Sequence, residues 1–310
     1  MRNAALFTIL ALVILMSTLL CACGQGQTAQ DIPVRDTSTP AAAADDSDAW
    51  RVSIIDSAGD EVLGFTESEL IAALDAAALP TGVQGPFSHV YSTINNWPTA
   101  RFYVADGYTV ASLLALAGLY DSAMTVTFRG EDGYEISLTG EQLMAPRFSY
   151  PHVGENEDGA EPVFALLAYR WREGTDDLSK LREDKPSLII GQGNPFEHTN
   201  PAYVVGVAEI LVSDAPCESW PAPSTFPLPG SIAAGETVKM QHPDYGLVKI
   251  HYTLDGSEPT VLSPMYNPST YQPELNVPIP INEPTEIRAF VYGYGKVDSE
   301  VAAFEFDPGE

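Results

Sequence analysis

The sequence feature that most constrains the fold of this 310-residue chain is a cluster of five prolines between residues 216 and 229. Proline fixes φ near −65° and has no backbone N–H, so a proline-rich segment continues neither a helix nor the inner strand of a sheet. Such a segment is typical of a semi-rigid linker. The cluster therefore predicts two folded units, residues 49–215 and residues 230–307, joined by a linker at 216–229.

The N-terminus has the pattern of an export signal. Arg2 precedes an apolar run over residues 4–20, which is the layout of a secretory signal. A plain transmembrane anchor is the alternative interpretation of that run. The run ends in Leu-Cys-Ala-Cys, which resembles the lipobox of bacterial lipoproteins, where a small residue precedes the cysteine that receives the lipid. The resemblance implies that residues 1–22 are a lipoprotein signal peptide and that Cys23 is lipidated.

Residues 23–48 are small, polar and acidic, which predicts a disordered tether between the lipid and the first folded unit. Acyl chains buried in a bilayer give a stable anchor. We therefore expect the protein to be held at the cell membrane by lipid, facing the extracytoplasmic side.

The charge balance excludes one class of partner. The chain has 42 acidic and 15 basic residues, a formal net charge of −27. A nucleic-acid-binding face needs clustered Lys and Arg, and here these residues are few and scattered. The acid excess therefore predicts no nucleic-acid partner.

Cysteine usage restricts how the fold is stabilised. After Cys23 the only further cysteine is Cys217, so the folded units cannot contain an internal disulfide. They must depend on buried apolar cores. Cys217 lies in the linker-like sequence Ala-Pro-Cys-Glu-Ser at 215–219, which disfavours a catalytic role for it.

Hydrophobic periodicity differs between the two units. In the first, alternation at 50–56 and 203–212 predicts strands, residues 109–118 predict a helix that stops at Gly118, and Asp132-Gly133 predicts a hairpin. Long polar loops are predicted at 154–161 and 172–186. The first unit thus combines predicted strands with a predicted helix.

The second unit contains short alternating segments separated by turns, which indicates an all-β sandwich. The segments are residues 238–240, 248–253, 284–292 and 301–304.

The second unit also carries a specific motif. Residues 252–260 read Tyr-Thr-Leu-Asp-Gly-Ser-Glu-Pro-Thr, which resembles the chitobiase/β-hexosaminidase C-terminal domain. The resemblance implies an immunoglobulin-like or fibronectin-like sandwich that acts as a spacer. Binding of cell-wall glycan is the alternative role.

Several short motifs of the first unit resemble the sulfite-oxidase-type molybdopterin-binding domain. They are Leu-Leu-Ala-Leu-Ala-Gly at 113–118, Asp-Gly-Tyr at 132–134, Gly-Gln at 191–192 and the strand at 203–212. The resemblance implies an α+β sulfite-oxidase-like fold. Catalytic members of that family hold molybdenum with a cysteine ahead of the "LL..AG" helix and bind the pterin phosphate with basic residues before the last strand.

The sequence departs from that family at both cofactor-binding points. Residues 91–97 contain no Cys, although a soft metal prefers a thiolate ligand. Residues 194–203 contain no Arg or Lys to meet a phosphate, and Glu197 adds a negative charge there. We therefore expect no cofactor and no catalytic residues, and we favour a protein that is not an enzyme.

The resulting functional prediction is a lipid-anchored extracytoplasmic binding or scaffold lipoprotein that has lost its molybdopterin. One alternative is a molybdopterin-dependent oxidoreductase with Ser92, Thr93 or Asn95 near the metal. The other is a cell-wall carbohydrate-binding lipoprotein. The expected partners are the membrane, through the lipid, and a cell-wall glycan or a protein.

Polar side chains in loops that the family fold brings together are the candidate ligand-binding residues: Asn95, Asn96, Arg101, Gln192, Asn194, His198 and Asn200. The five histidines show no metal-ligand spacing, so no metal site is predicted. His251 alternates with core residues of a strand and is expected to face solvent.

Overall fold

A computed structural model of the protein describes residues 50–76, 85–95, 97–121, 123–269 and 273–309. These residues all belong to one compact unit. The predicted signal peptide, the tether, Cys23 and Asn96 lie outside the described residues. Within the described ranges, no helix has the length and apolar character needed to cross a bilayer.

The described chain is mostly β-sheet. Up to residue 213 its strands are β1 (Val52–Ile55), β2 (Glu61–Phe65), β3 (Phe87–Ile94), β4 (Ala100–Thr109), β5 (Thr125–Gly130), β6 (Glu135–Thr139), β7 (Arg147–Ser149), β8 (Glu161–Val163), β9 (Leu166–Glu173), β10 (Glu183–Ile189), β11 (Val204–Val205) and β12 (Val207–Ser213). The α-helices are α1 (Glu67–Ala76), α2 (Val110–Leu116) and α3 (Gly140–Met144). Short 3-10 turns cover Leu178–Lys180, Asn200–Ala202 and Pro273–Leu275.

These strands form two five-stranded sheets and a two-stranded ribbon. The first sheet has the order β2-β1-β12-β5-β6, and in it the parallel pair β1 and β12 joins the two ends of this part of the chain. The second sheet has the order β11-β10-β9-β4-β3 and its strands are antiparallel. The ribbon is β7-β8.

The second sheet is buried on both faces, because successive side chains of a strand point to opposite faces. On β9, Leu167 packs into the core shared with the first sheet and with α2, while Leu166 and Ala168 pack into a separate core with Tyr91 and Trp171. The near-continuous apolar sequence of β9 follows from this double burial.

Two elements that capping and turn residues predicted are present in the structure. The predicted helix at 109–118 is confirmed: Thr109 caps α2, and Gly118 follows it with φ +74°. The predicted hairpin is confirmed as β5-β6, with Gly133 at φ +80°. The prediction of a long loop over 172–186 was wrong at both ends, because β9 continues to Glu173 and β10 begins at Glu183.

The physical reason for that error lies in the strand ends. Charged residues dominate the segment, yet Glu183 pairs with Arg170 across β10 and β9. Their backbone groups are satisfied in the ladder while the charged side chains stay largely exposed. The polar sequence of residues 172–186 was therefore not evidence for a loop over the whole segment.

The C-terminal part is an all-β sandwich, as predicted. Its strands are β13 (Ser224–Phe226), β14 (Gly230–Ile232), β15 (Thr237–Gln241), β16 (Val248–Thr253), β17 (Met265–Tyr266), β18 (Ile279–Pro280), β19 (Thr285–Gly293) and β20 (Ala302–Pro308). The sheet β13-β15-β18 faces the sheet β14-β20-β19-β16-β17 across one apolar core.

Much of the proline-rich segment 216–229 is built into this sandwich. Its strand β13 pairs with β15, and Trp220 is buried in the sandwich core. The backbone N–H of Trp220 donates to the Val297 carbonyl at 2.9 Å. The His242 Nδ1 accepts from the Asp244 N–H, so the Nε2 of that ring carries the proton and donates to the Pro221 carbonyl at 3.1 Å.

We predict that Trp220→Ala lowers the free energy of unfolding by about 3–5 kcal/mol, because it empties a large buried site. Urea denaturation of the full chain measures this. Trp97→Ala is the matched control, since Trp97 is 54% exposed, and its effect should stay within about 0.5 kcal/mol. Equal effects of the two substitutions would contradict the burial of the segment in the sandwich core.

Candidate functional site

Four of the predicted site residues lie together on the connection between β10 and β11, which we call the junction loop (residues 191–203). They are Gln192, Asn194, His198 and Asn200. The loop packs beside the end of β3 and beneath one face of the sandwich. Its polar side chains bond mainly to other parts of the protein.

Hydrogen bonds tie the junction loop to β3 and β4. The Ser92 hydroxyl donates to Gln192 Oε1 at 2.5 Å, and the Gln192 amide donates to the Glu197 carbonyl at 2.8 Å. The Thr199 hydroxyl donates to Thr93 Oγ1 at 2.7 Å. Ser92, Thr93, Gln192 and Thr199 have no exposed surface, so these groups are held in the interior.

The remaining predicted residues have local roles or lie apart. Asn200 donates to the Tyr103 hydroxyl at 3.0 Å. The side-chain oxygen of Asn194 accepts from the Phe196 N–H, and that of Asn95 accepts from the Trp97 and Thr99 N–H groups, so both shape turns. Arg101 is exposed at the start of β4, near Asn95 in the β3-β4 hairpin and away from the junction loop's bonds.

The centre of the junction is a buried ion pair between Arg147 on β7 and Glu197 on the junction loop. Arg147 Nη1 lies 2.9 and 2.8 Å from the two carboxylate oxygens of Glu197, and the side chains are 7% and 5% exposed. Arg147 Nη2 also donates to the Gln142 carbonyl at 2.9 Å. The Gly193 N–H donates to Glu197 Oε2.

Two tyrosines of the sandwich complete this site. The Tyr292 hydroxyl donates to Glu197 Oε1, and the Tyr294 hydroxyl donates to the same oxygen at 3.1 Å. A buried carboxylate is stable only when its charge is paired and its lone pairs are occupied. Glu197 meets that condition only because donors arrive from both sides of the junction.

A second set of contacts fixes the orientation of the sandwich. Gln142 caps α3 through the Thr139 N–H, and its amide also donates to the Gly293 carbonyl at 2.8 Å. The Gly295 N–H donates back to Gln142 Oε1 at 2.9 Å. Gly295 has φ +83°, and a Cβ there would lie 2.9 Å from the Ser137 Cβ, so the close approach requires glycine.

The protonation of Glu197 follows from this geometry. Burial alone raises the pKa of its carboxyl group, but the charge of Arg147 and the donors Gly193 and Tyr292 outweigh burial and hold the pKa below its ordinary value. Glu197 is therefore ionised at neutral pH.

His198 of the junction loop and His251 of β16 are two further buried basic side chains. Burial, followed by the charge of Lys249, lowers the pKa of His198 to about 3, so this ring is neutral. The expectation that His251 faces solvent was wrong. His251 is 8% exposed, stacks on Phe290 with ring centroids 5.5 Å apart, and shares a hydrogen bond of 3.0 Å with the Ser263 carbonyl.

Arg147 also lines a cleft of about 200 Å³. The start of α2, the end of α3 and the β8–β9 connection line it. None of the predicted site residues that the structure describes lines this cleft. Among the described residues, no group of three or more His, Cys, Asp or Glu side chains is placed to hold a metal ion.

Sequence reasoning missed Arg147, Tyr292 and Tyr294. Arg147 lies 50 residues from Glu197, and Tyr292 lies 95 residues from it. A local pattern carries no information about pairs so far apart. The one available signal was Glu197 itself, an acid in an otherwise uncharged stretch, which required a buried cation from elsewhere in the fold.

Comparison with known proteins assigns part of the chain. The family described as "Fn3 associated" has a model that matches residues 238–306. This match agrees with an immunoglobulin-like or fibronectin-like sandwich at the C-terminus. No curated protein matches the chain.

We predict that Glu197→Gln lowers the free energy of unfolding by about 3–5 kcal/mol, because it leaves the Arg147 charge buried without a counter-charge. Equilibrium denaturation of the full chain at pH 7 measures this. The control is Glu61→Gln, which breaks an exposed pair with Arg51 and should have a far smaller effect. A small effect at Glu197 would contradict its role at the junction.

The difference in the free energy of unfolding between the wild type and Glu197→Gln is also expected to depend on pH. Because the pKa of Glu197 is lower in the folded state, its ionisation stabilises the fold above the unfolded pKa of about 4.3, and this contribution is lost as the pH falls through the folded pKa. The stability difference between the wild type and Glu197→Gln should therefore shrink below about pH 4. Denaturation midpoints between pH 3 and pH 7 test this, and a difference independent of pH would refute it.

Proposed function

We propose that the protein is a lipid-anchored extracytoplasmic binding or scaffold lipoprotein, whose sulfite-oxidase-like domain has lost its molybdopterin. One observation carries the proposal. The polar side chains at the places where that family holds the cofactor bond to each other and to the sandwich.

The residues expected at the metal-ligand position of that family do not suit molybdenum. Ser92 and Thr93 lie on β3 ahead of α2, and their hydroxyls are bonded to Gln192 and Thr199. A hydroxyl is a poor substitute for a thiolate at a soft metal. Cys217, the one cysteine that the structure describes, instead donates to the Met124 carbonyl at 3.0 Å.

The residues expected at the phosphate position of that family do not suit a pterin phosphate either. The junction loop precedes the strands that close this part of the fold, and the buried cation beside it is Arg147. That guanidinium is already paired with Glu197 at 2.8 Å. A phosphate placed there would meet a neutralised cation and a buried carboxylate, so its charge would be poorly compensated.

The joined architecture supports a scaffold role. Tyr292, Tyr294 and Gly295 connect the sandwich to the junction loop and to α3 through hydrogen bonds. A spacer held in this way has a fixed direction relative to the first part of the fold. With the predicted tether and the lipid on Cys23, it would present one compact unit at the membrane surface.

Metal and pterin analysis of the purified full chain tests the proposal. We expect molybdenum well below one atom per chain and no pterin fluorescence after acid extraction, even from cells grown with added molybdate. An established molybdopterin enzyme purified from the same culture is the control for cofactor supply. Stoichiometric molybdenum or extractable pterin would overturn the proposal and favour the oxidoreductase alternative.

A further inference from the structure

The cleft beside Arg147 combines buried and exposed apolar side chains. Three lining side chains are almost fully buried, and we call them the floor: Val110, Leu143 and Val163. Three others are between 37% and 41% exposed, and we call them the rim: Tyr120, Met144 and Phe164. Apolar surface that stays in contact with water gains free energy when a ligand covers it.

One wall of the cleft is the β8–β9 connection, and hydrogen bonds fix its backbone. The Tyr91 hydroxyl donates to the Phe164 carbonyl at 2.7 Å, and the Val110 N–H donates to the Ala165 carbonyl at 2.9 Å. The Phe164 ring packs on Phe87 with ring centroids 4.8 Å apart. The aromatic part of the rim is therefore held in place from behind.

The other wall is the end of α3, which is fixed as well. Thr139 and Gln142 bond reciprocally at the start of this helix. Gln142 also bonds to Gly293 and Gly295 of the sandwich. Because both walls are held by bonds within the protein, the cleft is formed before a ligand arrives, and binding loses little free energy in ordering it.

The volume of the cleft limits what can occupy it. At about 200 Å³ it exceeds the roughly 150 Å³ of an apolar cavity that binds benzene, and it is smaller than the roughly 300 Å³ at which pockets for drug-sized ligands begin. A stable protein interface buries about 800 Å² on each partner, which the rim side chains do not supply. The cleft therefore suits one ring with a short substituent, and neither a large cofactor nor a protein surface.

The chemistry of the rim favours an aromatic ring over an aliphatic one. Tyr120 and Phe164 offer rings that another aromatic ring can meet edge to face. The thioether of Met144 also makes favourable contacts with aromatic rings. All three rim side chains thus interact with an aromatic ligand by more than area burial.

The charges near the cleft disfavour an anion. Three exposed acids lie within two sequence positions of lining residues: Asp121, Glu141 and Glu161. Asp298 interacts electrostatically with Glu141 and adds to this negative charge. Arg147 is the one base among the lining residues and their neighbours within two positions in the sequence, and its ion pair with Glu197 neutralises it. A cleft bordered by charges of one sign repels ligands of that sign.

From the volume of the cleft, its apolar floor and its aromatic rim, we propose that it binds a small molecule with a single aromatic ring and no negative charge. The ring covers the floor between Phe164 and the end of α3, and a polar substituent stays in water at the rim. This inference rests on the proposed binding role of the protein and names the chemistry of its ligand.

Saturation-transfer difference NMR on the purified full chain at pH 7 tests the proposal, with benzyl alcohol and benzylamine as the probes. We expect saturable binding with a Kd on the order of 1 mM or tighter, as befits a ligand with few atoms. Absence of saturable binding of both probes would overturn the proposal.

Two matched compounds test the stated chemistry. Benzoate keeps the ring but carries a negative charge, and cyclohexylmethanol keeps the ring size but has no π-system. Each should bind about threefold or more weakly than benzyl alcohol. Affinity equal to that of benzyl alcohol would contradict the exclusion of anions in the first case and the preference for an aromatic ring in the second.

Two variants locate the site. Ala111→Leu puts a larger apolar side chain at a lining position and should weaken binding of benzyl alcohol about tenfold, and Phe164→Ala should weaken it about fivefold. Phe196→Ala is the matched control, because Phe196 is 43% exposed but lies on the junction loop and does not line the cleft. It should bind as the wild type does. Wild-type affinity in either cleft variant, when circular dichroism shows the variant folded, would refute the assignment to this cleft.

The two proposals fail in different ways. Molybdenum or pterin in the purified protein overturns the loss of cofactor, whatever the titration gives. Absence of aromatic binding in a cofactor-free protein overturns the ligand assignment alone.

Discussion

The buried carboxylate of Glu197 is the constraint on which the junction depends. An ionised group in the interior must be paired with a cation and must have its oxygens bonded. Arg147 supplies the cation from the β7 ribbon, and Tyr292 and Tyr294 supply hydroxyl donors from the sandwich. Because neither side alone satisfies Glu197, separating the sandwich from the junction loop would leave a charged group short of donors. The two parts are therefore coupled in stability as well as in position.

This coupling has a consequence for function. Polar groups that bond to each other are unavailable to a ligand, and Ser92, Thr93 and Gln192 are all engaged in this way. These buried side chains therefore hold the junction together.

Helix ends and tight turns could be predicted from the sequence, because they depend on the residues within them. Gly118 and Gly133 adopt the positive φ that their helix end and hairpin turn require, so those elements were predicted correctly. The site was not readable, because it is built from partners 50 to 97 residues apart. The prediction for His251 failed for the same reason: alternation shows which residues leave the sandwich core, but not that another part of the chain covers the outer face.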